Sequence, residues 1–514
     1  MITTIRIVET VGSSITNGAE AGVLEGRQGR PPETPEHRAD AIFALPRLPA
    51  TAALLGELPG WREDLRERRV EVVGDAGHAD VVVAEPSEAS RAAAFDAPAL
   101  VVDGEARLGP QVGARYPASV RLLPIPVHGG PGLFVNLEQR RAARYGIEHG
   151  AVHLQRWGNA RNRVAALLAG LGALPAPRGA IGLAAAAGPP ALVAAGTELG
   201  GLSEAQWVQL VSSGSIVRRN AFLLFPPGHS APTHVLKFSR IPGVSVQFER
   251  DQEAAELVER TGGTVASHAP THLGRFEVDG WPASLETAAV GTKLTNFLRR
   301  TISRRAKLAA VEAVAAWLIE VARETAAAPE ALASERERLE REVLPHWRQH
   351  GVDEDLVRSI PPVPATFQHN DVAEENVVVS GDRFMVLDWE WAQPSGLPLG
   401  DLVYFAVHVL RIVDGALTEE ARDRHFGEVL SGSAPSSPVL FRWVRELVST
   451  LGLPEASVGP LVTANWLDRG RLSFVERLHA EAVGGIPLEP AFAERAVLAW
   501  LRHPGLGPGW SAWR

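Results

Sequence analysis

The sequence contains no cysteine among its 514 residues. Without thiols, disulfides, thiolate zinc sites and a cysteine nucleophile are all excluded. The first residues, MITTIRIVETVGSS, lack the basic region followed by an apolar run that marks a secretory signal. A chain of this kind is compatible with a reducing compartment, and we expect a cytoplasmic protein.

Long apolar runs and an excess of positive charge are also lacking. The uncharged stretch 179–196, GAIGLAAAAGPPALVAAG, is barely long enough to cross a bilayer and has two prolines in its middle, which favours two short buried strands around a turn. The net charge is -9, so no global basic field attracts nucleic acid or an anionic membrane. We therefore expect neither as a partner.

Lysine is scarce as well, because only Lys237, Lys293 and Lys307 occur in a chain that otherwise uses arginine. Lys237 lies in the strand-like segment HVLKFSR and is the only lysine of the first 290 residues. A lysine point charge and an arginine fork are not interchangeable, so this lysine is informative. The competing interpretation is a strand lysine whose stem packs on the sheet.

The length predicts roughly three domains. Residues 1–200 alternate short apolar runs with helical patterns, which predicts an α/β domain of unknown role. Its glycine-containing segment 12–18, GSSITNG, matches neither a dinucleotide fingerprint nor a Walker loop and is interpreted as a plain loop. Residues 172–202 are rich in Ala, Gly and Pro and are the predicted linker. The strand-like runs of this domain are 41–46, 70–73, 79–85, 99–104 and 120–127.

The rest of the chain divides into a small sheet-rich part, 205–291, and a mostly helical part, 292–514. In the first part, a helix predicted from 251 ends at a glycine pair. The helical pattern of the second part is interrupted by strands only over 366–391. The strand-like runs of the first part are 216–225, 234–240, 245–250, 272–280 and 283–291.

The stretch QHNDVAEENVVV (368–379), followed by FMVLDWEWA (384–392), combines polar side chains with two apolar runs. SGD at 380–382 is a plausible tight turn, so the two runs are predicted to pair as a hairpin. Pairing would place Asn376 and Asp388 side by side at one end. An amide oxygen and a carboxylate suit magnesium, and Asp371 on the incoming segment could accept the proton of a hydroxyl.

Phosphoryl transfer needs little more than a metal, a carboxylate that orients the attacking hydroxyl, and a cation on the phosphates. The spacing His-x-Asp-x4-Asn, then an apolar hairpin and Asp, is that of the kinase catalytic loop, here 367–391. The competing interpretation is a surface loop followed by an ordinary hairpin.

These residues resemble the aminoglycoside phosphotransferase/choline kinase family of small-molecule kinases over about 205–514. The resemblance rests on His369-Asn370-Asp371, Asn376, Asp388-Trp389-Glu390 and GLPLGDL at 396–402. It implies an α+β, bilobal, protein-kinase-like fold, with a small antiparallel-sheet lobe and a mostly helical lobe, preceded here by the additional α/β domain. It further implies that Asp371 is the catalytic base and that Asn376 and Asp388 are magnesium ligands. It also implies that His369 supports the loop and that Asp401 is a buried structural acid whose position fits a helix cap.

The resemblance also implies a nucleotide site in the small lobe. Lys237 would bind the α- and β-phosphates, and Glu253 on the next helix would hold it, with Asp251 and Glu256 as alternatives and a solvated helix face as the competing interpretation. Gly214 and Ser215, in SSGS at 212–215, would cover the phosphates, although one glycine matches a Gly-rich loop poorly. Ala288 and Val290, in TAAVG at 287–291, would offer backbone hydrogen bonds to adenine.

The sequence departs from the family at Asn370, where glycine is common. It has no DFG, no APE after Asp388 and no room for an activation segment between Asp388 and Gly400, which argues against a protein kinase. The expected function is an ATP- and Mg²⁺-dependent phosphotransferase acting on a hydroxyl of a small molecule of aminoglycoside, sugar or amino-alcohol type. The acidic net charge favours a cationic acceptor. Two alternatives stay open, a non-catalytic nucleotide-binding module serving the N-terminal domain and a two-activity biosynthetic enzyme.

Substrate contacts are expected from the helical part and from the residues after Asp388. The competing interpretation for each candidate is a packing role or a surface position. The candidates are Glu390, Trp391, Trp466, Asp468 and Arg469.

Overall fold

A computed structural model describes residues 38–58, 60–104, 108–125, 132–150, 156–174, 180–202, 204–212, 219–484 and 489–514. Its strands, in chain order, are β1 (Thr51–Leu55), β2 (Glu71–Val72), β3 (Val81–Ala84), β4 (Ala99–Asp103), β5 (Ala118–Ile125), β6 (Gly132–Asn136), β7 (Ile181–Ala185), β8 (Gln206–Val211), β9 (Asn220–Phe225), β10 (His234–Phe238), β11 (His272–Val278), β12 (Trp281–Thr287), β13 (Thr292–Lys293), β14 (Thr366–Gln368), β15 (Val377–Ser380), β16 (Arg383–Val386) and β17 (Gln393–Gly396).

The helices are α1 (Trp61–Glu67), α2 (Ala89–Ala92), α3 (Pro110–Arg115), α4 (Arg140–Tyr145), α5 (Arg156–Gly170), α6 (Ala191–Leu199), α7 (Val246–Thr261), α8 (Gly263–Ala266), α9 (Leu294–Arg300), α10 (Arg304–Glu324), α11 (Ala333–Arg338), α12 (Leu344–Trp347), α13 (Leu356–Ser359), α14 (Gly400–Val413), α15 (Glu419–Ser431), α16 (Ser437–Leu451), α17 (Val458–Gly484) and α18 (Phe492–Arg502). Short 3₁₀ segments cover Arg38–Ala44, Ala76–His78, Pro86–Glu88, Pro329–Leu332, Arg348–His350 and Glu455–Ser457, and π-helical turns cover Gly146–Gly150 and Leu339–Val343.

One sheet of twelve strands runs through the first half of the described chain, in the order β11-β12-β10-β9-β8-β6-β5-β7-β4-β3-β1-β2. The end formed by β2, β1, β3 and β4 is parallel, as an α/β arrangement requires. The remaining neighbours are antiparallel. The sheet therefore joins an α/β part to an antiparallel part without a break.

This sheet crosses the predicted boundary near residue 200. Val135 of β6 pairs with Val208 of β8, and β7 lies between β4 and β5 inside the predicted linker 172–202. Residues 36–514 form one compact unit. The division at 200–205 thus remains a prediction, whereas a linker over 172–202 is wrong because its apolar residues 181–185 are buried in the sheet.

Two apolar runs of the first 200 residues were assigned the wrong structure. Residues 41–46 were predicted as a strand but belong mainly to the 3₁₀ segment Arg38–Ala44, whose Phe43 packs on Phe238 and Trp281. The second half of 179–196 is helix α6, which begins after Pro190. Short apolar runs do not distinguish a strand from a buried helical turn. The segment 12–18 lies outside the described residues.

The small lobe consists of β8–β12 with α7 and α8 inserted after β10. The run 245–250, predicted as a strand, is the beginning of α7, because Phe248, Asp251, Ala254 and Val258 recur at helical spacing and are buried. Helix α7 ends at Gly262, which has φ 65°, as the glycine pair predicted.

The helical lobe, α9–α18, surrounds a core built from α10, α14, α16 and α17. Helix α14 occupies the predicted range 400–413. The predicted helix 331–347 is instead divided by a π-helical turn into α11 and α12. Short strands line this lobe, with β13-β15-β16 in one sheet and β14-β17 in another. The α+β, two-lobed architecture with an additional α/β part is therefore confirmed. Among the described helices, none combines the length and apolarity needed to span a bilayer.

Candidate active site

The predicted hairpin between residues 376 and 388 is present. Val377 pairs with Val386 and Ser380 with Arg383, and Gly381 has φ 65° in the two-residue turn. At the open end, the Leu387 N–H donates to the Asn376 carbonyl at 2.7 Å. Asn376 and Asp388 consequently leave the hairpin at the same end.

Asp371 lies between two sets of partners. The Asn376 Nδ2 amide donates to the Asp371 carbonyl (2.9 Å) and to its Oδ2 (2.7 Å). On the other side, the Tyr404 hydroxyl donates to Oδ1 at 3.2 Å, and Arg469 Nη1 is 3.8 Å from the same oxygen. Burial raises the pKa of Asp371 to about 7, although Arg469 opposes the shift. The carboxyl group is thus held in place and still able to accept a proton.

The backbone of the catalytic loop is fixed by Asp401. Its carboxylate accepts the N–H groups of His369 (2.6 Å) and Asn370 (2.9 Å). The predicted helix-capping role is wrong, because Leu399 is the N-cap residue of α14 and both Asp401 oxygens face the loop. The prediction of a buried acid agrees with its position.

His369 holds the loop from its other side. Its Nε2 lies 3.0 Å from the Leu387 carbonyl, and its Nδ1 accepts the Asp371 N–H at 3.1 Å. Burial lowers the pKa of His369 to about 3, so the ring is neutral with its proton on Nε2. This geometry suits the supporting role implied by the sequence.

Asn370 has a left-handed backbone, with φ 66°. Glycine adopts this conformation without strain, and asparagine is among the residues that tolerate it best. Its side-chain amide also donates to the Trp391 carbonyl at 3.0 Å. Asparagine at this position can therefore adopt the same loop conformation as the glycine common in the family.

Lys237 points to the mouth of the hairpin. Its Nζ is 2.9 Å from Asp388 Oδ1 and 3.1 Å from Glu286 Oε2. Lys237 holds the pKa of Asp388 well below its usual value, with burial opposing and Arg219 assisting. Asp388 is therefore ionised next to a strand lysine.

The predicted partner of Lys237, Glu253, does not contact it. Glu253 is exposed, because α7 turns Phe248, Asp251 and Ala254 inward and places residue 253 on the opposite face. Of the two alternatives, Glu256 is exposed and Asp251 pairs with Arg219.

Two charged residues of the site, Glu286 and Arg219, were not predicted from the sequence. Glu286 lies on β12 two positions from Ser284, the residue opposite Lys237, so strand alternation was a usable signal for it. Arg219, just before β9, pairs with Asp251 and lies 3.3 Å from Glu390 and 4.0 Å from Asp388. In an arginine-rich sequence nothing local distinguishes Arg219.

The remaining nucleotide-site predictions are less well placed. Gly214 and Ser215 lie outside the described residues. The Ala288 N–H already donates to the Thr233 carbonyl at 2.8 Å, so it is not directed at a ligand. Val290 is exposed beyond the end of β12.

The residues at the hairpin mouth fit a magnesium ion. Because Asn376 directs its amide nitrogen at Asp371, its Oδ1 is left for a cation, and Asp388 supplies an ionised oxygen. In the described part of the chain, no cluster of three or more His, Asp or Glu side chains is arranged as a metal site. A hard ion held by two protein oxygens and several waters needs no such cluster.

The five substrate candidates fall into two groups. Glu390 pairs with Arg219, and the Trp391 ring stacks under Arg250 at 4.5 Å, so both lie on the small-lobe side. Trp466, Asp468 and Arg469 line a cavity together with Tyr404, whose hydroxyl bonds Asp371. Asp468 forms a two-pronged ion pair with Arg338, at 2.9 and 2.7 Å.

Residues 234–435 match the family model described as the phosphotransferase enzyme family. None of the curated proteins compared matches the chain. Among solved structures, a glucosamine kinase is similar at 14% identity and TM-score 0.30, over 51% of this chain and 73% of that one. An aminoglycoside-3'-phosphotransferase of type VIII has 15% identity and TM-score 0.29, over 52% of this chain and 89% of that one. Both TM-scores are too low to support a conclusion.

The family match covers the residues on which the resemblance rests, including Lys237, Asp371, Asn376, Asp388 and Asp401. It confirms the relationship that the motifs predicted. The segment 234–435 matches the phosphotransferase enzyme family, the relationship that the motifs within it predict.

Proposed function

We propose that the protein transfers the γ-phosphoryl group of ATP, in the presence of Mg²⁺, to a hydroxyl of a small molecule. One observation carries this proposal: Asp371 stands between Asn376, on the side of Asp388 and Lys237, and a cavity on the side of Tyr404 and Arg469. A base with a cation site on one flank and a cavity on the other has the geometry that phosphoryl transfer needs.

Each residue has a separable task. Asp371 orients the acceptor hydroxyl and accepts its proton as the new oxygen–phosphorus bond forms and the bond to the ADP oxygen breaks. Lys237 and Arg219 place positive charge at the hairpin mouth, where the phosphates would lie. Asn376 and Asp388 would hold Mg²⁺, which when bound neutralises phosphate charge. His369 and Asp401 keep the loop rigid.

The charge balance at the hairpin mouth supports a ligand there. Lys237 and Arg219 are shared among four carboxylates, those of Asp251, Glu286, Asp388 and Glu390. This excess of acids over bases is relieved when a divalent cation binds. ATP binding with Mg²⁺ would therefore add both a cation for the acids and phosphates for the bases.

The test is an acceptor screen with the full chain. ATP and MgCl₂ are supplied with sugars, sugar acids, aminoglycosides and amino-alcohols, ADP release is followed in a coupled assay, and products are checked by mass spectrometry for one added phosphoryl group. We expect ADP release that depends on one acceptor class and stops when EDTA is added. Tight ATP binding without transfer to any acceptor would favour the non-catalytic module instead.

A further inference from the structure

The cavity beside Asp371 lies on the acceptor side of the base. Asp371 Oδ2 is bonded to Asn376, on the side of the proposed metal ligands, whereas Oδ1 faces Tyr404. Tyr404 and Arg469, the two side chains that approach Oδ1, also line this cavity, so a hydroxyl that gives its proton to Oδ1 would approach from this side. The cavity is lined by Asn370, Tyr404, Asn465, Trp466, Asp468 and Arg469, among others.

Arg469 has hydrogen-bonding capacity to spare. Its Nη1 is 3.8 Å from Asp371 Oδ1 and its Nη2 is 3.8 Å from Asp401 Oδ1, both too long for hydrogen bonds. Nη2 is buried and has no hydrogen-bond partner among the described residues. The guanidinium group stacks on the Tyr404 ring at 4.2 Å, which holds it in place.

The acids around the cavity are already occupied. Asp468 is paired with Arg338, and Asp401 accepts two backbone amides. Glu374, in the catalytic loop, accepts from His408 at 3.1 Å and from Arg411, both of which lie on α14. Burial opposes ionisation, but these two partners lower the pKa of Glu374 to about 2. These three acids therefore offer an ammonium group little unpaired negative charge, whereas Arg469 offers an anion a guanidinium with a free donor.

We propose that the acceptor is a small hydroxy acid whose carboxylate binds Arg469 while its hydroxyl lies on Asp371. A buried donor without an acceptor is costly, and a carboxylate presents two oxygens to the guanidinium fork. Because Arg469 is 3.8 Å from the oxygen that takes the proton, the hydroxyl and the carboxylate belong on the same or neighbouring carbons. The inference deepens the proposed function and rests on it.

The reaction is balanced without any further reactant. The hydroxyl oxygen attacks the γ-phosphorus of ATP, its proton passes to Asp371, and the bond from the γ-phosphorus to the ADP oxygen breaks. The products are ADP and the phosphorylated hydroxy acid. The acidic net charge of the chain favoured a cationic acceptor, but the charges that line this cavity favour the opposite.

The experiment compares matched acceptors on the full chain. Glycerate is paired with glycerol, and gluconate with glucose, with ethanolamine as the cationic arm. ADP release gives kcat/KM for each, and binding of each acid to the MgADP-loaded protein is measured by calorimetry. Arg469→Gln is compared with Arg469→Lys and with the control Arg471→Gln, since Arg471 lies on the same helix and pairs with Glu342 at 3.5 Å.

We expect acids to exceed their neutral partners at least tenfold in kcat/KM. Arg469→Gln should remove this preference, mainly by raising KM for the acids, and Arg469→Lys should restore part of it. Arg471→Gln should leave the preference unchanged. KM for ATP should stay constant in all three variants. Transfer to glycerol, glucose or ethanolamine in preference to acids would overturn the inference and leave the proposed function standing. Failure of every acid to bind or react would also overturn it, and only the absence of transfer to any acceptor would count against the proposed function.

Discussion

Two clusters of ion pairs lie at strand β10 and just after it, and they differ in how far solvent reaches their charged groups. Three residues after Lys237, Arg240 meets Asp40, which also binds Arg68; Asp40 Oδ2 is 3.1 Å from Arg240 and Oδ1 is 2.7 Å from Arg68. All three are at most 1% exposed. We call Asp40, Arg68 and Arg240 the closed cluster. The open cluster, Arg219, Lys237, Glu286 and Asp388, contains a carboxylate that is 38% exposed, that of Asp388.

This difference in exposure distinguishes a cluster that stabilises the fold from a cluster that can bind a ligand. The closed cluster joins the first α/β part to the small lobe and pairs its charges away from solvent, so its contribution is to stability. The open cluster keeps charge at a surface where a ligand can reach it, so its contribution is to binding and turnover. Lys237 lies within β10, and Arg240 follows two residues after the end of this strand. We expect substitutions in the two clusters to affect different measurements.

The largest effect on stability is expected for Asp40→Asn. Loss of this carboxylate leaves two buried arginines without their shared anion, and breaking a buried ion pair costs about 3–5 kcal/mol. Urea denaturation of the full chain measures the change. The matched control is Glu320→Gln, which breaks an exposed pair with Arg323 and should leave the free energy of unfolding nearly unchanged. Equal losses in both variants would contradict a special role for the closed cluster.

Substitution in the open cluster should instead lower turnover. Lys237→Ala removes the cation next to Asp388 and should reduce kcat/KM for ATP by about 10²-fold, the usual loss when one preorganised charge contact to a reacting group is removed. Lys307→Ala is the control, because within the described part of the chain Lys307 donates to the Ile412 carbonyl, at 3.3 Å. Unchanged ATP kinetics in Lys237→Ala would show that the strand lysine does not contact the nucleotide.

The smallest effect concerns the pH dependence of stability near the closed cluster. Burial, with the negative charge of Asp40 adding to it and Arg68 opposing, raises the pKa of Asp64 from 3.8 to about 6. An acid with a raised pKa stabilises the folded state below about pH 4, and that contribution is lost as the pH rises through about 6. Two pKa units correspond to at most about 3 kcal/mol.

Asp64→Asn should abolish this loss without changing ATP kinetics. The measurement is the free energy of unfolding of both proteins between pH 4 and pH 8 (range chosen to bracket about pH 6). Identical pH profiles would mean that Asp64 does not titrate in this window.

Local features of the site were readable from the sequence. The turn at 380–382 and the apolar runs on both sides predicted the hairpin, and the apolar pattern of 400–413 predicted α14. Both depend on interactions between neighbours in sequence, for which residue pattern is a direct signal. The positions of Asn376 and Asp388 follow from the hairpin alone.

Long-range features were not readable in the same way. The pairing of β6 with β8 joins segments about seventy residues apart, and no local pattern specifies such a partner. Arg219 and Glu286 reach Lys237 only through the register of β9, β10 and β12. Glu253 was predicted from motif spacing. The burial of Asp251 shows that a different face of α7 is turned inward.

The central claim is that Asp371 takes the proton of an acceptor hydroxyl beside a separate MgATP site. The most direct measurement compares wild type with Asp371→Asn, using single-turnover phosphoryl transfer to the preferred acceptor and calorimetric MgATP binding on the same preparations. The account predicts a loss of transfer of roughly 10²–10⁴-fold with MgATP affinity retained. Transfer at the wild-type rate in Asp371→Asn would contradict it.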